Sequence, residues 1–137
     1  MVYLTRKEHF NAAHKLWNPN WDEAKNRAVF DVCANANWHG HNFDLFITVK
    51  GTPDPDTGFI INVKELSKII KREVVDQLDH RNLNLDVPWL EGVMPSTENL
   101  VMKIWERLAP LVQSDNCQLH CVKLYETERI YAEYYGE

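Results

Sequence analysis

"HGHNFDLFITVKG", residues 39–51, decides the reading of this chain. Successive side chains of an extended strand point to opposite faces, so residues two apart share a face. His39, His41, Phe43, Leu45, Ile47 and Val49 fall on one side. Asn42, Asp44, Thr48 and Lys50 fall on the other, with Phe46 as the exception. This alternation predicts a half-buried strand. The same period runs through "VYLTRKEHFNAAH", residues 2–14, where Val2, Leu4, Phe10, Ala12 and His14 share one parity and Tyr3, Thr5, Lys7 and His9 the other.

Between these strands, "WNPNWDE" reads as loop and "EAKNRAVF" as a short helical turn. After the second strand, "TPDPDTG" is a turn by composition, and "FIIN", residues 59–62, reads as the start of a return strand. The period then changes. In "NVKELSKIIKREVVDQLDH" the residues Val63, Leu66, Ile69, Ile70, Val74 and Leu78 follow helical spacing, and Asn62 with Glu65 resembles a capping box. A second helix opens at "PSTEN", with Ser96 or Thr97 as N-cap and Glu98 in the first turn, where the helix dipole favours a carboxylate. Its apolar stripe is Leu100, Val101, Ile104, Trp105, Leu108 and Leu111. "QLHCVKLYE" and "RIYAEYY" read as two strands joined by a turn near Thr127. The order β-β-α-α-β-β predicts an α+β fold: an antiparallel sheet with two helices on one face.

The 137 residues predict one domain, residues 1–137, long enough to bury a core without disulfide staples. Hydrophobic residues at 45% and charged residues at 26% argue against disorder. The net charge of −5 and the absence of a basic stripe exclude nucleic acid as an expected partner. No apolar run has signal-peptide or membrane-spanning character, so a cytoplasmic location without membrane association is expected. Cys33, Cys117 and Cys121 form no CxxC pair, and their odd number predicts free thiols in a reducing compartment.

"CANANWHGHN", residues 33–42, carries the chemistry. His39 and His41 point the same way and can offer imidazoles to one point, with Gly40 leaving room for close approach. His14, at the end of its own apolar face, is a candidate third ligand. Three histidines with an open fourth position describe a catalytic zinc site rather than a closed structural one. Cys33 taken alone reads as an inert small hydrophobe, as do Cys117 and Cys121. His9 and His120 read as surface or hydrogen-bonded residues. Asp79 beside His80 suits an oriented imidazole for proton transfer, or a helix end. Glu126 shares parity with Val122 and Leu124. A carboxylate at the end of an apolar face needs a partner, and an amidine-like N–H pair on a ligand would serve, unless the strand end is exposed.

Six segments, "FNAAHKL", "CANANWHGHN", "DPDTGFIIN", "LDHRNLNLDVP", "PSTEN" and "YETE", occur in that order over nearly the whole chain. Together they resemble the 6-pyruvoyl tetrahydropterin synthases and their relatives, the 6-carboxy-tetrahydropterin synthases of queuosine biosynthesis. The resemblance implies the tunnelling fold (T-fold), whose subunits join into a trimeric antiparallel barrel and stack as a homohexamer, a dimer of trimers with active sites at subunit interfaces. It implies Zn2+ on His14, His39 and His41, Cys33 as general base, Asp79 and His80 as proton relay, and Glu126 as pterin anchor beside Ser96 and Thr97. The implied activity is a carbon–oxygen lyase acting on a phosphate-bearing substrate. It converts 7,8-dihydroneopterin triphosphate to 6-pyruvoyl tetrahydropterin with elimination of triphosphate, as in tetrahydrobiopterin biosynthesis, and needs no external redox cofactor.

Five residues separate Cys33 from His39, which is similar to the pyruvoyl branch, whereas the queuosine branch usually has three. Trp38 and Ala36 depart from the animal pattern of Gly and Pro, so a bulky indole stands beside the ligands. The alternatives are the 6-carboxy-tetrahydropterin synthase reaction and a non-catalytic zinc- or pterin-binding module. Lys15, Arg27 and Lys64 are candidate phosphate contacts, with solvated surface charge as the competing reading.

Overall fold

In the computed structural model, which describes residues 1–137, β1 (Val2–His14) and β2 (His39–Gly51) pair antiparallel along their whole length, from Val2 opposite Gly51 to His14 opposite His39. This register puts the apolar parities of both strands on one face. Phe10, Ala12, Phe43, Leu45, Ile47 and Val49 are all buried. β4 (Cys117–Thr127) pairs with the other edge of β2, and β5 (Ile130–Tyr134) pairs with β4, both antiparallel. A two-residue strand, β3 (Arg81–Asn82), lies parallel to β1 at Ala12 and Ala13, giving the order β3-β1-β2-β4-β5.

The ladder between β2 and β4 shifts between Thr48 and Val49, whose partners are Cys121 and Leu119. His120 is the extra residue of this bulge. Cys117 and Leu119 therefore face the core before it, and Val122 and Leu124 after it.

The buried face is covered by two helices. One starts as α2 (Val63–Ile70), widens into a π-helical turn over Lys71–Val75, and ends as α3 (Asp76–Leu78). The residues it buries, Leu66, Ile70, Val74 and Leu78, recur at a strict spacing of four. In a regular 3.6-residue helix each such step overshoots a full turn by about 40°. The wider π turn absorbs that drift and keeps the stripe on the sheet. The second helix, α4 (Thr97–Val112), buries Leu100, Val101, Ile104, Leu108 and Val112.

Several details differ from the sequence expectation. "FIIN" is not a strand; it forms a bend leading into α2, with Ile60 buried under the loop. Asn62 does cap α2, accepting from the Lys64 N–H, but the Glu65 carboxylate pairs with Lys68 instead of closing a capping box. Val63 is exposed at the start of its helix, and Leu111 gives its core place to Val112. The excursion after β1 contains a true helix, α1 (Glu23–Phe30), capped by Asp22. Its loop is organised by Asn26, fully buried, whose amide donates to the carbonyls of Asn18, Trp21 and Asp22 and accepts from the Asn18 N–H.

Two strand edges remain without partners: β1 apart from Ala12 and Ala13, and the outer side of β5. Met1, Val2, Tyr3, Ile130 and Tyr131 are exposed along them. No helix is long and apolar enough to cross a membrane.

Candidate metal centre

His14 and His39 face each other as the last cross-strand pair of β1 and β2, and His41 stands two residues along β2 on the same face. Their rings meet edge to face with centroids 4.5–5.1 Å apart. One ligand atom from each lies within 4.8 Å of the other two. His14 is buried, and its Nδ1 lies 2.8 Å from the carbonyl oxygen of Pro95. A carbonyl only accepts, so Nδ1 carries the proton and Nε2 is left bare. Three buried nitrogens have no hydrogen-bond partner: His14 Nε2, His39 Nδ1 and His41 Nε2. Unpaired buried acceptors are costly, and three together are the donor set of a metal ion.

Burial is the main cause that lowers the pKa of all three histidines, and the imidazoles also disfavour each other's charge. The nearby Glu126 carboxylate opposes this without reversing it. Neutral imidazole is the form that binds a metal.

Glu126 reaches the cluster from the end of β4. Its Oε1 lies 3.4 Å from His41 Nε2, and its Oε2 accepts a 2.6 Å hydrogen bond from the Thr97 hydroxyl. The β4–β5 ladder shifts between Tyr125 and Thr127, so Glu126 has no partner on β5. Ser96 is the N-cap of α4 and accepts from the Asn99 N–H. Ser96, Thr97 and Glu126 line a cavity of about 200 Å³ with Tyr131 on its wall.

Cys33 belongs to a short 3-10 turn tied to the end of β1 by a hydrogen bond from the Leu16 N–H to the Cys33 carbonyl. Its thiol pKa is raised, first by burial and then by the negative charges of Glu126 and Asp31. Cys117 and Cys121 are buried with raised pKa values, and all three cysteines are free.

Asp79 and His80 lie beyond α3, against the outer edge of β1. Asp79 Oδ1 accepts from the Asn11 N–H at 2.9 Å, its Oδ2 lies 2.9 Å from His80 Nδ1, and the His80 N–H donates to the Asn11 carbonyl. The Asn11 N–H is the largest cause holding the Asp79 carboxyl below its usual range, followed among favourable causes by His80. His80 takes a left-handed backbone with φ 59°. Its ring is exposed beside a polar cavity that includes His41.

The structure thus gathers His14, His39, His41, Glu126 and Thr97, and brings Cys33 within reach of the Glu126 field. It sets the Asp79–His80 pair apart, at the β1–β3 edge. The sequence reading lacked the Pro95 carbonyl behind His14, the Asn11 N–H behind Asp79 and the direct Thr97–Glu126 bond. Backbone partners leave no residue-type signal. "PSTEN" held the only clue to the last of these.

An α+β domain with a three-histidine centre at one end of its sheet is the class that fold and site define. A family model described as "PTPS: 6-pyruvoyl tetrahydropterin synthase" matches residues 3–137. The 6-pyruvoyl tetrahydrobiopterin synthase of Dictyostelium discoideum is 40% identical over 136 residues, covering 99% of this chain and 97% of the relative. The Homo sapiens protein of that name is 36% identical, covering 98% and 91%. The structure of Caenorhabditis elegans 6-pyruvoyl tetrahydropterin synthase superposes with a TM-score of 0.92 at 31% identity, covering 99% of this chain and 96% of that one. The chain belongs to the 6-pyruvoyl tetrahydropterin synthase family.

Proposed function

We propose that the chain is a zinc-dependent lyase that converts 7,8-dihydroneopterin triphosphate to 6-pyruvoyl tetrahydropterin with elimination of triphosphate. The observation that carries this reading is the set of three bare, buried imidazole nitrogens beside a carboxylate fixed by Thr97. The names of the relatives support the pyruvoyl reaction over the queuosine alternative.

His14, His39 and His41 hold the zinc, with His14 oriented through Pro95. Bound zinc supplies Lewis-acid polarisation of the substrate's side-chain hydroxyls, which makes them and the neighbouring C–H more acidic. Glu126 accepts the N–H pair of the pterin ring, and the Thr97 hydroxyl fixes the carboxylate for it. Ser96 shapes the wall through its helix cap. Cys33 is the general base. Burial and two carboxylates hold its thiol protonated in the free protein. Docking a pterin N–H pair on Glu126 offsets the larger of those two charges and favours the thiolate. His80, oriented through Nδ1 by Asp79, moves the second proton at its exposed Nε2.

The enzyme works as a cytoplasmic homohexamer in this reading. Two partnerless strand edges bordered by exposed apolar residues favour closure of the sheet between copies. The placement of Asp79 and His80 away from the histidine cluster suits a site completed across a subunit boundary. Product identification after incubation with dihydroneopterin triphosphate tests the function. Formation of 6-carboxy-tetrahydropterin would move the chain to the queuosine branch, and no turnover by zinc-loaded protein would leave only a binding module.

A further inference from the structure

The helix that leads to Asp79 and His80 changes its hydrogen-bond step on the way. The Asp76 N–H bonds five residues back, to the Lys71 carbonyl, whereas the Asp79 N–H bonds four back, to Val75. Between these two bonds lie three carbonyls, those of Arg72, Glu73 and Val74, but only two amides, those of Gln77 and Leu78. One carbonyl is therefore left over by the backbone, and such groups need a donor from elsewhere. Side chains supply it. The Gln77 amide donates to the Arg72 carbonyl at 3.2 Å, and Arg107 Nε donates to the Glu73 carbonyl at 2.8 Å.

Arg107 comes from α4 and meets this turn with more than one nitrogen. Its Nη2 donates to the Glu73 carboxylate at 2.9 Å. Its guanidinium carbon lies 4.6 Å from the ring centre of Trp89, which stands in the single 3-10 turn Pro88–Leu90. The Trp89 indole N–H in turn donates to Gln77 Oε1 at 2.8 Å. Gln77 is thus held at both ends of its amide, two residues before Asp79. Arg107, Trp89 and Gln77 close a ring of contacts on the π turn from three segments of the chain. Arg72 also reaches the Glu73 carboxylate, at 2.9 Å, but from an exposed position and without touching a carbonyl.

We infer that Arg107 is a positioning residue for the Asp79–His80 pair, acting through the π turn. A regular α-helix satisfies its interior carbonyls from its own backbone, so the wider form persists where outside donors hold the surplus carbonyl. The π turn keeps Leu78 on the core and aims the helix exit at the edge of β1. There Asp79 accepts from the Asn11 N–H, and the His80 N–H donates to the Asn11 carbonyl. A regular helix over the same residues would carry Leu78 past the core and turn Asp79 away from Asn11. α4 then serves the site twice: Thr97 at its start fixes Glu126, and Arg107 further along fixes the pair. That His80 moves a proton rests on the proposed function; the placement of the pair does not.

Residue-resolved hydrogen exchange on zinc-loaded protein tests the placement. Arg107→Met, which keeps an apolar stem over Trp89, should speed exchange of the Asn11 and His80 amides about tenfold or more beyond any change in the β2–β4 ladder. Trp89→Phe, which keeps a ring and loses the indole N–H, should act in the same direction and more weakly. Arg72→Gln should leave both amides as in wild type. Acceleration no greater than that of the ladder amides, in both Arg107→Met and Trp89→Phe, would make Arg107 a general stabiliser and overturn the inference. In steady-state kinetics Arg107→Met should lower kcat roughly ten- to hundredfold with KM and zinc content kept. The same substitution in a His80→Ala background should cost nothing further, and an equal loss in both backgrounds would also overturn the positioning role. If His80→Ala turns over like wild type, the relay in the proposed function fails, and exchange at Asn11 and His80 alone decides the placement.

Discussion

Thr97 and Glu126 are 29 residues apart in sequence, yet the threonine hydroxyl donates a 2.6 Å hydrogen bond to the carboxylate. The first residue of α4 thereby fixes the acid at the end of β4, and the other carboxylate oxygen is left facing His41. Thr97 is buried, so Thr97→Val keeps its packing and removes only the hydroxyl. Hydrogen bonds to charged groups contribute about 1.5–3 kcal/mol. The variant should raise KM roughly tenfold while kcat changes little, because pterin anchoring serves ground and transition states alike. An unchanged KM would detach Glu126 from substrate binding.

Cys33→Ala should keep zinc, fold and assembly and lose about 10²–10⁴ in kcat, the usual contribution of a general base. Steady-state kinetics with metal analysis separates the outcomes. Full kcat makes the thiol structural. Loss of zinc makes it a fourth ligand and closes the metal site.

Changing His39 and His41 together to Ala should abolish zinc binding, read by metal analysis after dialysis. The same histidines set a pH dependence. Their folded pKa values lie below 6.5, chiefly through burial, so the unfolded chain takes up protons first as pH falls. The stability of metal-free protein should be fully present above about pH 6.5 and decline below it. Urea melts across that range test the sign. Zinc should be released over the same acid range, because protons compete for the ligand nitrogens.

Gly51 ends β2 against the turn at Asn116, where an added Cβ would fall inside contact distance of the Asn116 carbonyl. Both neighbours are backbone and cannot swing away. Gly51→Ala should cost about 2–4 kcal/mol in denaturant unfolding. Gly58→Asn, in open space at a left-handed φ, should cost well under half of that.

Sedimentation should show a hexamer at micromolar concentration. A proline at Ala132, in β5, should reduce the assembled fraction if that edge pairs with another copy. A monomeric wild type would remove the assembly and the subunit-boundary site together.

The strands and α4 were legible because their apolar periods are long and the burying face is single. β2 alternates for its whole length, and the sheet keeps that alternation. "FIIN" misled because a short apolar run carries no period of its own, and here its isoleucines pack under a loop. β3 has two residues and no pattern to read. The π turn left one trace, the four-residue spacing of Leu66, Ile70, Val74 and Leu78. The three histidines were legible because a strand fixes side-chain direction. The left-handed Trp38 and the Lys15 ammonium over its ring depend on contacts between separate segments, which no local pattern encodes.

The bulge at His120 sets the phase of everything downstream in β4. Were His120 drawn into the ladder as an ordinary paired residue, Cys117 and Leu119 would carry Cys121, Lys123 and Tyr125 inward with them, and Glu126 would point away from the histidines. The site therefore depends on one residue standing out of the ladder as much as on the identity of the others. Deleting His120 should leave Leu119 opposite Val49 and Cys121 opposite Thr48 in a regular ladder, with Glu126 still on the side of His41. The variant should keep its zinc, although the strand loses the local bend that the bulge supplies.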